Sequence, residues 1–166
     1  WPRQQGETIV QLLTRASVAG GGFNVRNPPG PYVSPDEKDG GVDVIAWTEE
    51  GMPPPTAFYF GQTASGKNWP GKPVADHARV FGQAYMLDHM TGNRVYVTLI
   101  PYRVLDIAFW NTQNLLHMAI LERLRLPLRA WEGTQLAGQG VPIDGADRIN
   151  DLIQWLDDFI IYAKAA

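Results

Sequence analysis

The 166-residue chain contains no cysteine, which removes disulfide bridges and thiolate metal centres from consideration. A cysteine-free chain fits a reducing compartment, so a cytoplasmic location is expected. No apolar run approaches the roughly 20 residues that a membrane-spanning helix needs, and no signal peptide is visible, so no membrane partner is expected. A basic excess is missing as well: 14 Lys and Arg against 17 Asp and Glu leave a net charge of -3. A stand-alone nucleic-acid binder usually carries a basic face, and here only Arg123, Arg125 and Arg129 form a mild cluster. Any phosphate grip is therefore expected to draw on neighbouring domains, a complex partner or a homodimer. Internal repeats, low-complexity tracts and splitting linkers are absent, so 1–166 is expected to be a single domain. It starts at Trp1 rather than methionine, which suggests a fragment of a longer protein.

What the chain does carry is 45% hydrophobic and 19% charged residues, the balance of a globular protein. Residues 4–18 place Ile9, Leu12, Leu13 and Ala16 on one face of an amphipathic helix, which the run Gly20-Gly21-Gly22 should end. Residues 23–26 read as a short strand, and 27–38, with four prolines and a glycine, as a loop. The β-branched and aromatic residues of 42–47 and 56–60 predict two strands joined by a Pro-rich turn over 49–55. Irregular chain follows over 68–73, then a helix over 74–90 with Val74, Ala78, Phe81, Tyr85 and Leu87 at helical spacing. After a turn over 91–93, residues 94–100 form the strongest strand pattern in the chain. A helix over 111–124 has Leu115, Met118, Ala119 and Glu122 in step. A short outer strand over 126–131, a Gly-rich connection over 134–144 and an amphipathic helix over 146–164 complete the reading. The expected fold is α/β, a central mixed sheet of about four strands flanked by helices, with extra C-terminal helices.

The segment 39–67 carries the chemistry. If the hairpin closes symmetrically about its turn, Trp47 faces Phe58 and Asp43 lies opposite Gln62, with Cβ atoms roughly 5 Å apart. An acid and an amide oxygen at that spacing suit a shared cation. Metal-dependent phosphodiester cleavage needs carboxylates to hold one or two Mg²⁺ ions, which polarise the phosphate and deprotonate a water. It also needs a cation against developing charge. Asp43, Gln62, Lys67 just beyond them and Glu7 on the first helix supply those groups. Plain structural roles compete for the same residues: Asp39-Gly40-Gly41 as a turn, Gln62 as an edge polar residue, Glu7 as an acid at a helix N-terminus.

The run Asp39-Gly40-Gly41-Val42-Asp43, an apolar strand, and a second strand ending in Gly61-Gln62 resemble the core of the PD-(D/E)xK superfamily, most nearly its Mrr-type restriction-endonuclease branch. That family's pattern is a helix carrying a glutamate, a Gly-rich turn, an Asp-Gly-Gly-(Ile/Val)-Asp segment and a strand ending in Gln-x-Lys. The similarity covers roughly residues 4–69 and, loosely, the helix and strand that follow; 101–166 match nothing in the pattern. The resemblance implies a restriction-endonuclease-like core and a nuclease, in a bacterial restriction or phage-defence setting. Asp43 would be the principal metal ligand, with Gln62 in a position that is often glutamate and Glu7 completing the acidic set. Mg²⁺ or Mn²⁺ would be the cofactor, and nucleic acid, DNA rather than RNA, the substrate. The family's lysine lies two residues after the Gln, where this chain has Ala64. Lys67, three residues further on, would serve as a displaced lysine. A catalytically inactive nuclease-like binding or assembly module is the alternative that Ala64 and the acidic net charge favour.

Other motifs are thinner. Gly61-Gln-Thr-Ala-Ser-Gly66-Lys67 has the spacing of a phosphate-binding P-loop, so a nucleotide binder is a third reading. Asn68 stands where a Ser or Thr should bind Mg²⁺, and Pro70 and Pro73 break the helix that should follow. His77, His89 and His117 share no ligand spacing, so no zinc site is expected. Trp47, Trp110 and Trp155 are expected to pack in the core or at an edge, whereas Trp69, beside Lys67, is the one expected near a substrate groove.

Overall fold

The first helix begins where a capping box allows it. Thr8 Oγ1 accepts from the Gln11 amide at 3.3 Å, and Gln11 Oε1 accepts in return from the Thr8 amide at 2.8 Å. The computed structural model describes residues 4–20, 22–31, 33, 39–48, 52–87, 93–141, 143 and 146–165. In it helix α1 runs Ile9–Gly20, so it starts five residues later than the apolar spacing predicts. Ile9, Leu13 and Ala16 are buried, as expected. Gly22 then takes φ 91°, and a Cβ at this position would lie 2.6 Å from Trp47 Cδ1. A glycine is what lets the chain turn away beneath that indole.

Strands β1 (Val44–Trp47) and β2 (Ala57–Thr63) form the antiparallel hairpin, with Trp47 opposite Phe58. A 3-10 turn, Trp69–Gly71, and helix α2 (Val74–Tyr85) lead to β3 (Asn93–Leu99), which lies parallel to β2. Helix α3 (Ile107–His117) leads in turn to the short β4 (Ile120–Leu121), parallel to β3. The result is an α/β fold with an open, mixed, four-stranded sheet in the order β1-β2-β3-β4. A parallel pair needs a helix-length crossover, so α2 and α3 are consequences of the strand directions.

Two apolar clusters hold this part together. The larger joins α1, Phe58 and Phe60 of β2, and Val74, Ala78, Phe81 and Tyr85 of α2. Those four α2 residues are the ones the helical spacing picks out, whereas Leu87, beyond the helix, is exposed. Phe23 sets its edge on Trp47, ring centroids 4.7 Å apart. The smaller cluster is Ala64, Trp69, Ile100 and Ile120, with Val104 and Trp110 packed on it.

Four expected elements come out differently. Residues 23–26 make no strand in the sheet: Val25 forms an isolated bridge with Met86, and Arg26 N–H donates to the Tyr85 carbonyl. They close the end of α2 instead. The helix expected over 111–124 is displaced towards the N-terminus, because Asp106 Oδ1 caps it by accepting from the Ala108 and Phe109 amides at 2.9 and 3.0 Å. It stops at Met118, whose φ of 64° is left-handed. Leu115 and Met118 are exposed, and the residues α3 buries are Gln113 and His117. Residues 126–131, and with them 134–138 of the expected Gly-rich connection, are helical, within α4 (Arg125–Gly138), because Pro127 sits in the first turn, where its missing N–H has no partner to lose. Helix α5 (Ile149–Ala165), preceded by a 3-10 turn at Ala146–Arg148, agrees with the expected C-terminal helix. Parts of the expected turns over 49–55 and 91–93, the ends of the expected 27–38 loop, 74–90 helix and 134–144 connection, Gly21 and His89 lie outside the described residues.

The chain groups into two compact units, Trp1–Leu124 and Arg125–Ala166. No described side chain of the second unit is buried, and Trp155, expected to pack, is exposed. No helix is long and apolar enough to cross a membrane among the described residues.

Candidate functional site

The hairpin register puts the two residues of interest at one end of β1 and β2. Val44 pairs with Gly61, so continuing the ladder by one step brings Asp43 opposite Gln62. The ladder slips at that step. Asp43 N–H donates to the Gly61 carbonyl at 2.9 Å, one residue out of the register that holds Val44 to Trp47. This is the geometry of a β-bulge, which re-aims the side chain of the extra residue. The Asp43 carboxylate then accepts from the Thr63 amide at 2.6 Å through Oδ2. No hydrogen bond reaches its Oδ1, and no cation pairs with it, among the described residues. Asp43 is exposed, ionisable and half-satisfied.

The turn before it is built from glycine and an Asx contact. Asp39 Oδ1 accepts from Gly41 N–H at 2.8 Å, so Asp39 serves the turn. Gly41 takes φ 76° and packs against the His77 ring, where a Cβ would lie 2.6 Å from the imidazole. Residue 41 therefore has to be glycine for the turn to sit on α2.

Gln62 is in step with Phe58 and Phe60 along β2, so its side chain leans toward the buried face of the sheet. Its Oε1 is buried and has no hydrogen-bond partner among the described residues. An unsatisfied buried amide oxygen costs roughly 1–3 kcal/mol, which makes it an acceptor in want of a donor or a cation. Thr98 is its partner on β3.

The other two expected site residues are placed differently. Glu7 precedes α1 and does not lie on it. Its carboxylate receives a two-point ion pair from Arg15, 2.9 Å at Oε1 and 2.8 Å at Oε2, and also accepts from the Gln4 amide at 2.9 Å. Both oxygens are committed to the start of its own helix. Lys67 lies exposed in the turn between Gly66 and Asn68 and makes no ion pair with Asp43. Ala64, in the position where the family pattern has lysine, is 8% exposed and belongs to the second apolar cluster, its amide bonded to the Leu99 carbonyl. A lysine there would have to bury its charge, so the turn that follows is the first place a cation can stand. Among the described residues no three His, Asp or Glu side chains are grouped to hold a metal ion.

The P-loop spacing has no matching geometry. Gly61, Gln62 and Thr63 are strand, and Lys67 leads into a single 3-10 turn rather than the N-terminus of an α-helix. Trp69 is buried at 5% exposure, contrary to the expectation of a groove-side aromatic. It packs instead between Phe109 and His117 of α3, ring centroids 6.1 and 5.1 Å away.

His117 is the residue that sequence reasoning passes over. It is fully buried, with Nδ1 2.8 Å from Thr98 Oγ1 and Nε2 3.3 Å from the Pro70 carbonyl. A carbonyl can only accept, so Nε2 carries the hydrogen and Nδ1 accepts from the threonine hydroxyl. Burial pushes the imidazole below its ordinary pKa, and the Pro70 carbonyl offsets part of that. The sequence signal is present once α3 is started at Asp106: Phe109, Gln113 and His117 then recur every four residues on one face.

No protein-family model matches this chain, and neither the curated proteins nor the solved structures include a significant match.

Proposed function

We propose that this chain is a metal-dependent nuclease domain with a restriction-endonuclease-like core, acting on nucleic-acid phosphodiester bonds and favouring DNA. One observation carries the reading. At the bulged end of the β1–β2 hairpin the half-satisfied Asp43 bonds to Gly61 and Thr63, the two chain neighbours of Gln62, whose amide oxygen is buried and unpartnered among the described residues. An exposed carboxylate oxygen and an orphaned amide oxygen are hard donors of the kind that Mg²⁺ or Mn²⁺ takes. When bound there, such an ion would polarise a phosphate and acidify a water. The chain's own parts follow from this. Asp43 and Gln62 would hold the cation, the Thr63 amide fixes which Asp43 oxygen remains available, and Lys67 would offer its exposed positive charge to the phosphate. The order of an antiparallel hairpin, a crossover helix and a parallel strand also accords with the resemblance. A cytoplasmic setting, a role in restriction or phage defence, and help from a homodimer or a neighbouring domain belong to the same proposal. The net charge of -3 leaves phosphate grip to such partners.

A second reading, a nuclease-like module that binds without cutting, is favoured by Ala64 in the lysine position and by the engagement of Glu7 with Arg15. Incubating the protein with duplex and single-stranded DNA, with and without Mg²⁺ or Mn²⁺, separates the two. Metal-dependent cleavage that Asp43→Ala reduces at least ~100-fold is the expected result, since even outer-shell changes cost 10–100-fold at metal sites. Cleavage that Asp43→Ala leaves unchanged would remove Asp43 from the mechanism. DNA binding without cleavage in any metal would favour the binding module.

A further inference from the structure

We propose that His117 is a positioning residue that ties down the turn carrying Lys67, so that the displaced lysine is presented just beyond the Gln62 end of β2. The proposal rests on the nuclease reading for its catalytic consequence, though not for its structural content. The turn from Ser65 to Asn68 is exposed and stands on two buried feet, Ala64 and Trp69. The first foot is fixed to the sheet by the bond from the Ala64 amide to the Leu99 carbonyl, 2.9 Å. At the second foot, the hydrogen bond that leads out of the 69–71 turn to another element is His117 Nε2 to the Pro70 carbonyl, and the ring also packs on Trp69, centroids 5.1 Å apart. Its other nitrogen reaches Thr98, which stands beside Gln62 in the β2–β3 register. One imidazole therefore connects the strand next to the candidate ligand with the segment that presents the lysine.

This arrangement accounts for a buried polar ring in an otherwise apolar cluster. A phenylalanine would fill the same space without needing a partner, so packing alone does not explain a histidine with both nitrogens engaged. What the imidazole adds is direction: it fixes the 69–71 turn against rotation and so limits where Lys67 can reach. Misplacing a group that must meet the reacting phosphate by about 1 Å can cost on the order of 100-fold in rate.

The test compares His117→Phe, which keeps a somewhat larger aromatic ring and loses both hydrogen bonds, with His117→Gln, which keeps a side-chain N–H donor for the Pro70 carbonyl. Amide hydrogen exchange on the 166-residue protein is the readout that needs no activity. His117→Phe is expected to speed exchange at residues 66–72 while leaving the β2 and β3 amides protected, and His117→Gln is expected to restore protection. Unchanged exchange at 66–72 in His117→Phe would overturn the tether, whatever the enzyme does. For activity, the metal-dependent cleavage of duplex DNA in His117→Phe is expected to fall ~10- to 100-fold in kcat at an unchanged Mn²⁺ affinity. Combined with Lys67→Ala, it is expected to add nothing further. Losses that add in full, or a parallel loss of Mn²⁺ affinity, would show a structural role alone and overturn the positioning role. A wild-type protein that cuts no DNA would sink the nuclease reading, and the exchange result would still decide the tether.

Discussion

The units Trp1–Leu124 and Arg125–Ala166 use apolar residues in opposite ways. In the first, Phe58, Val74, Ile100 and Ile120 are almost wholly withdrawn from water, and even polar Thr98 and His117 are buried. In the second, Leu128, Trp131, Leu152, Trp155 and Ile161 are all more than half exposed. Helix formation thus means different things in the two. α2 is held by the face it buries, because isolated helices of its length are marginal in water and tertiary packing supplies their stability. α4 and α5 depend on local terms, first-turn placement of Pro127 and pairs such as Arg129–Glu132, which at 2.6 Å on the surface contributes little.

That contrast can be broken or sharpened by experiment. The largest effect is expected from Phe58→Ala, which empties a fully buried site and should cost about 3–5 kcal/mol in urea unfolding. That is a large share of the roughly 5–15 kcal/mol that holds a typical domain folded. A cost under ~1 kcal/mol would mean that the larger apolar cluster is not the stabilising element. Next comes the buried imidazole. His117 is harder to protonate in the folded state than its ordinary pKa of about 6.5, so the unfolded chain binds more protons just below that pH. Its contribution is complete above about pH 6.5, declines as pH falls towards the lowered folded value and levels off below it. Melting curves at pH 7.5 and 5.5 should therefore show a larger drop for wild type than for His117→Gln; equal drops would refute the assignment. Thr8→Ala removes the capping box and is expected to cost ~1 kcal/mol, read by the same unfolding curves. The smallest effect is expected from Leu152→Ala in α5, within about 0.5 kcal/mol, as for an exposed position. A loss above 2 kcal/mol there would show that this face is covered in solution.

The sequence was most legible where period and turn chemistry acted together. The hairpin partners, the face of α2 and the role of Asp39 in its turn follow from alternation, helical spacing and an Asp-Gly-Gly run. It was least legible where one local contact outranked the apolar pattern. The capping oxygens of Thr8 and Asp106 moved two helix starts, and the left-handed Met118 ended a helix that leucines appeared to continue. Of the site, the register over Val44 to Trp47 is encoded in the sequence, whereas the slip that bonds Asp43 to Gly61 and Thr63, on either side of Gln62, is not. The engagement of Glu7 with Arg15, eight residues away, was not readable. It depends on the actual turn before α1 and not on composition.

By itself, then, the sequence determined the α/β class, through its helical and alternating periods, and the hairpin register over Val44 to Trp47, which depends on contacts within one short stretch of chain. The tertiary structure alone decided that Ala64 and Trp69 are buried feet, that Lys67 is an exposed turn residue, and that His117 joins Thr98 to Pro70. Those facts need β2, β3 and α3 packed together, and a partner 47 residues away in sequence leaves no local trace.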